Sequence, residues 1–128
     1  MTTTKLTPAG VHTPGAAYSH AVETTGNVRW LHCAGQVGIA PDGTVRDGFT
    51  AQAEQAWSNV LAVLKAAGMG PENLVKITHL LVRPGDVAAY RPVVAKYLGD
   101  QRPASTMMVL QALARPEYLI EVEAIAAK

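Results

Sequence analysis

Few residues in this chain combine a reactive type with a useful spacing. Glu121 and Glu123 alternate within 119–126, a run rich in strand formers. Alternate residues on a strand share a face, so both carboxylates point one way while Ile120, Val122 and Ala124 point the other. Such a pair can act as general base and electrostatic partner. It equally suits a face that meets solvent or basic side chains. Cys33 closes a β-forming run just before Ala34-Gly35-Gln36. A thiolate nucleophile needs a nearby base and an electropositive setting. His32 lies on the opposite strand face, which leaves Cys33 the commoner role of a small buried hydrophobe. Tyr18 follows Gly15-Ala16-Ala17 and can offer its hydroxyl to a cleft, or pack its ring with the hydroxyl at the rim. Arg115, beside Pro116, can hold an anion or stand exposed in a loop.

The spacings of familiar active sites are absent. There is no GxSxG, no Walker loop, no GxGxxG and no HExxH. His12, His20, His32 and His79 form no pair at i, i+4 or at the strand spacing i, i+2. Neither a metal centre nor a cofactor is expected.

The elements that must position these residues follow from punctuation and periodicity. Residues 16–24 read as a strand, with a turn at Thr25-Gly26-Asn27. Residues 28–34 form a second strand, which 35–39 can extend, with Gly35 marking a bulge or a close backbone approach. Pro41-Asp42-Gly43-Thr44 is a turn. Ala53, Ala56, Trp57, Val60, Leu61, Leu64 and Ala67 recur at helical spacing, so 50–67 is a helix with Thr50 as N-cap and Gly68 beyond its end. Residues 74–82 are almost continuously apolar, as in a central strand. Asp86 can cap a second helix to Leu98, with a kink or a fresh start at Pro92. With 35–39 counted apart from 28–34, strands at 105–112 and 119–126 complete the order β-β-β-α-β-α-β-β. This is an α+β domain spanning 1–128, with both helices on one sheet face. Nothing remains to cover the other face. Leu80 and Val109 are expected to face water unless a second copy covers them.

Charge narrows the function. Lys and Arg number 11 against 10 Asp and Glu. That balance gives no basic footprint for nucleic acid. Charged residues are 16% of the chain, against about 25% in an average soluble domain. The shortfall fits burial of surface between subunits. No apolar run approaches the ~18 residues of a membrane span. Residues 1–8 lack the apolar core of a signal peptide, and Cys33 is alone, so a cytoplasmic protein without disulfides is expected.

Read together, several segments resemble one family. They are Gly15-Ala-Ala-Tyr18-Ser-His-Ala-Val22, Cys33-Ala-Gly-Gln36, Ala66-Ala-Gly68, Val75-Lys-Ile-Thr78, Arg102-Pro-Ala-Ser-Thr106 and Ile120-Glu-Val-Glu-Ala-Ile-Ala126. Their order resembles that of the Rid family (reactive intermediate deaminase, YjgF-type, formerly labelled L-PSP endoribonuclease). The resemblance implies a chorismate-mutase-like homotrimer with sheets facing inward and ligand clefts between subunits. It implies that Tyr18, Cys33, Ala34, Gly35, Gln36, Ser105 and Met107 line the cleft, and that Glu121 positions an attacking water. Deaminases of the family carry an arginine after Pro-Ala that holds the substrate carboxylate bidentately, which suits a planar guanidinium. Here Ser105 follows Pro103-Ala104. The family's serine before Gly-Gln is Ala34, its later cysteine is Met107, and the spacing from Ala104 to Glu121 is one residue longer. The expected function is binding of a small metabolite in the interface clefts, without ordinary 2-imino-acid deaminase activity. The alternative is an enamine or imine deaminase whose anion site has moved to Arg115 or Arg102. RNA cleavage has neither the charge nor a histidine pair to support it.

Overall fold

The computed structural model describes residues 1–128. The strands are β1 (Thr2–Leu6), β2 (Ala21–Thr25), β3 (Trp30–Val37), β4 (Leu74–Leu81), β5 (Ala104–Val109) and β6 (Ile120–Ala127). Helix α1 (Phe49–Ala66) lies between β3 and β4, and α2 (Val87–Leu98) between β4 and β5. The main sheet runs β3-β6-β4-β5, antiparallel except for the β4–β5 pair. β1 and β2 form a separate antiparallel ribbon.

The expected α+β order is present, but 35–37 continue β3 and the third strand before α1 is Thr2–Leu6. Thr2–Leu6 is a strand that hydrophobic alternation gave no reason to expect. Its three β-branched threonines favour extended backbone and pair with β2. Residues 16–20 are not part of β2. They dock on the start of β5 instead, where the Ser19 N–H donates to the Pro103 carbonyl at 3.0 Å and Ser19 Oγ to the Arg102 carbonyl. This docking builds one wall of the candidate site. Helix α1 begins one residue before Thr50, capped by Gly48 with φ 84° and no side-chain bond.

Helix α2 runs through Pro92 without a break. The carbonyl that loses its partner belongs to Ala88, and both residues are exposed. Water can satisfy that carbonyl, and the small alanine leaves room for the ring. Helix α1 ends as expected, with Gly68 at φ 69° and the Met69 N–H reaching back to the Leu64 carbonyl at 2.9 Å.

Both helices cover one sheet face. Trp57, Val60 and Leu64 of α1 and Tyr90 and Val93 of α2 pack on Ile77, Leu81, Ile120 and Val122. Each large side chain so buried contributes about 1.5–3 kcal/mol. Gly38 lets α1 approach closely, since a Cβ there would lie 2.5 Å from the Gln52 Cα. Gln52, itself buried, donates to the Arg46 and Glu117 carbonyls and accepts from the Leu119 N–H.

The other face carries His32, Ala34, Glu123, Thr106 and Met108, all exposed, with Leu80 half-buried among them. Val109 does not belong to that face. Its register partner is Leu81, a helix-side residue, and its 43% exposure comes from lying on the sheet edge.

Candidate functional site

The edge strand β5 and helix α2 do not close on each other. Between them lies a pocket of about 250 Å³. Ala16, Ala17 and Tyr18 form one wall, Arg91, Val94 and Ala95 of α2 another, and His79, Ser105 and Met107 the sheet side. The register explains the last group, because His79 pairs with Met107 and Ile77 with Ser105, so all four share the helix side. Arg91 is the one ionised side chain in the lining, and it makes no ion pair or hydrogen bond.

Behind the pocket runs a buried polar chain. Ser105 Oγ lies 3.0 Å from His79 Nε2, and His79 Nδ1 lies 2.6 Å from the Tyr90 hydroxyl. Trp57 Nε1 donates to the same hydroxyl at 3.0 Å. His79 is 2% exposed, and Tyr90 and Trp57 are fully buried. Burial, reinforced by the nearby Lys76 charge, pushes the His79 pKa down to about 4, so the ring is neutral at pH 7. Burial also raises the Tyr90 hydroxyl, which stays protonated.

The structure therefore brings together Tyr18, Ser105 and Met107 of the sequence-derived set. The others lie elsewhere. Ala34, Gly35 and Gln36 sit on β3, and Glu121 on the neighbouring β6. The strand register breaks between Cys33 and Gln36, as Gly35 led us to expect. The Glu121 carboxylate occupies the space over Gly35, where a Cβ would lie 1.9 Å from Oε1. Glu123 follows on the same open face, beside a shallow depression shared with His32 and Ala34. Cys33, 4% exposed, packs in the core on the helix side. Burial raises its thiol pKa, which keeps it from being a ready thiolate.

Two strand spacings, about 10 Å, separate β6 from β5, and Glu121 and Ser105 lie on opposite sheet faces. Neither relocated-anion candidate lines the pocket. The Arg102 guanidinium donates to the Gly99 and Gln101 carbonyls, and Arg115 lies 3.9 Å from Glu117 in a different surface recess. Arg91 and His79 are the polar pocket residues that motif and spacing had missed. No three His, Cys, Asp or Glu side chains come together in a metal-binding arrangement. No helix is long and apolar enough to cross a membrane.

Comparison with known proteins agrees with this fold. The family model described as Endoribonuclease L-PSP matches residues 11–128, and the chain belongs to that family, the Rid or YjgF proteins. A RutC family protein of Pyrococcus horikoshii is 35% identical over 121 residues, covering 90% of each chain. A mouse protein named 2-iminobutanoate/2-iminopropanoate deaminase is 34% identical, covering 98% of this chain and 88% of its own. A crystal structure of a Rid family protein of unknown function from Yersinia pestis superposes over the whole of both chains, with a TM-score of 0.88 and 35% identity.

Proposed function

We propose that this chain is a cytoplasmic homotrimer that binds small metabolites in clefts between subunits and lacks ordinary 2-imino-acid deaminase activity. The observation that carries this reading is Ser105. It stands where the family's deaminases hold the substrate carboxylate with arginine, and it offers one neutral hydroxyl already engaged by His79. Loss of a buried charge-assisted pair costs about 2–5 kcal/mol in affinity for a carboxylate.

The interface supports the same reading. Tyr18, Ser105 and Met107 face the helix side of the sheet, and Glu121 lies over Gly35 on the other, while Cys33 and Gln36 pair with the helix-side residues Ala124 and Val122. A second copy, laid sheet against edge, can complete the cleft, whereas a single chain cannot. The exposed Met108 beside half-buried Leu80 gives that copy an apolar surface. Glu121 then approaches the bound ligand from the neighbouring subunit and can take a proton from an attacking water. No cofactor, metal, nucleic acid or membrane is needed.

Arg91 favours a second reading, an enamine or imine deaminase whose substrate carboxylate is held from α2. Its guanidinium is free and lines the pocket. The mass in solution tests the shared premise. Light scattering is expected to give three copies, and a monomer at micromolar concentration would contradict both readings. Arg91→Ala separates them, since only the second requires that charge.

A further inference from the structure

We infer that His79 is a positioning residue that turns Ser105 into a fixed hydrogen-bond donor aimed into the pocket, so that the site selects ligands presenting a carbonyl-type oxygen there. This rests on the assignment of the pocket as the ligand site.

The buried end of this polar chain sets the direction of its hydrogen bonds. An indole N–H can only donate, so the Tyr90 oxygen accepts from Trp57. The Tyr90 hydroxyl has one proton of its own. Its remaining partner is His79 Nδ1 at 2.6 Å. If Nδ1 carried hydrogen, the Tyr90 proton would be buried without an acceptor, an arrangement native structures avoid. Nδ1 therefore accepts, and a neutral imidazole then carries its hydrogen on Nε2. That hydrogen points at Ser105 Oγ, 3.0 Å away. Ser105 accepts it, and its own proton has no protein acceptor. The free direction is the pocket that Ser105 lines.

The polarity is opposite to that of a Ser–His nucleophilic pair. There the histidine nitrogen accepts the serine proton. Here that nitrogen already holds one, and Tyr90 and Trp57 keep it there. Ser105 is a donor, and no acyl or phosphoryl intermediate forms on it.

The test uses the full chain labelled with 15N-histidine. Long-range proton–nitrogen correlation spectra separate the two neutral tautomers and imidazolium, and His79→Gln identifies the His79 signals by their loss. The expected pattern is the Nε2–H tautomer throughout pH 5.5–8. An Nδ1–H tautomer, or titration near pH 6.5, would overturn the inference. A fluorophosphonate probe supplies a second readout, with an intact unmodified mass expected and an adduct at Ser105 contradicting it.

A binding cycle with butanamide, a neutral compound with one carbonyl oxygen, as probe then reads the positioning role. Ser105→Ala and His79→Leu are each expected to weaken binding roughly two- to tenfold, the worth of one hydrogen bond. His79→Leu should add nothing in the Ser105→Ala background. His79→Gln, which keeps one donor and one acceptor, should restore most of the affinity. A further loss in the double variant would overturn the role assigned to His79. Failure of butanamide to bind the unaltered chain would count against the proposed ligand site, whereas the tautomer spectra judge the hydrogen-bond direction independently.

Discussion

Gly35 on β3 and Glu121 on β6 are in direct contact, with the carboxylate lying where a side chain on residue 35 would begin. The glycine is required by this approach, since it has no positive φ. Gly35→Ala must swing Glu121 aside, because the Cβ would also lie 2.9 Å from its Cγ. We expect a loss of about 1–3 kcal/mol, as for overpacking. Glu121→Ala in the same chain should recover most of it. Thermal unfolding of the two single variants and the double variant checks this, and purely additive losses would contradict the contact.

Gly38 should be less forgiving. Its clash is with the backbone of α1 at Gln52, which cannot rotate away. Gly38→Ala is expected to destabilise more than Gly35→Ala, with no single second change restoring it. Urea unfolding midpoints order the two.

Gln52→Leu removes the donor and acceptor that tie α1 to three backbone groups, at Arg46, Glu117 and Leu119. Stranding these partly buried groups should cost about 2–4 kcal/mol. Hydrogen exchange should show the loss at the Leu119 amide first.

The buried histidine sets a pH dependence. His79 faces the Trp57 ring from α1, Tyr90 from α2 and Ser105 from β5, and the charge acting on it is Lys76. Its pKa falls from 6.5 to about 4 on folding, so between those values the unfolded chain binds more protons. Stability is therefore full above pH 6.5, falls as the pH drops, and levels off below 4. The His79 share of the loss from pH 7 to pH 5 is about 2 kcal/mol. His79→Gln should remove that share, seen as a smaller difference between unfolding midpoints at the two pH values.

Much of this architecture was legible. The α1 stripe, the interior position of β4 and the Gly35 bulge follow from periodicity and punctuation. β1 was hidden because Thr2–Leu6 has threonines where an alternating apolar pattern would be. His79 was readable in principle. It shares strand parity with Ile77 and Leu81, which places it in the core, and a core histidine needs hydrogen-bond partners. A search for histidine pairs passes over that signal. Arg91 was not readable, because its place at the pocket depends on 16–19 docking against β5, a pairing set by tertiary contacts.

The uncovered sheet face should hold the copies together. Met108→Glu puts a charge beside Leu80 on that face. Light scattering is expected to show loss of the proposed trimer with the chain still folded by circular dichroism.

The most direct measurement is hydrolysis of freshly generated 2-iminopropanoate, run beside the mouse deaminase, for the unaltered chain and for Arg91→Ala. The account predicts no acceleration above the uncatalysed reaction by either. Turnover comparable to that of the mouse enzyme would contradict it, and loss of that turnover in Arg91→Ala would place the carboxylate site on α2.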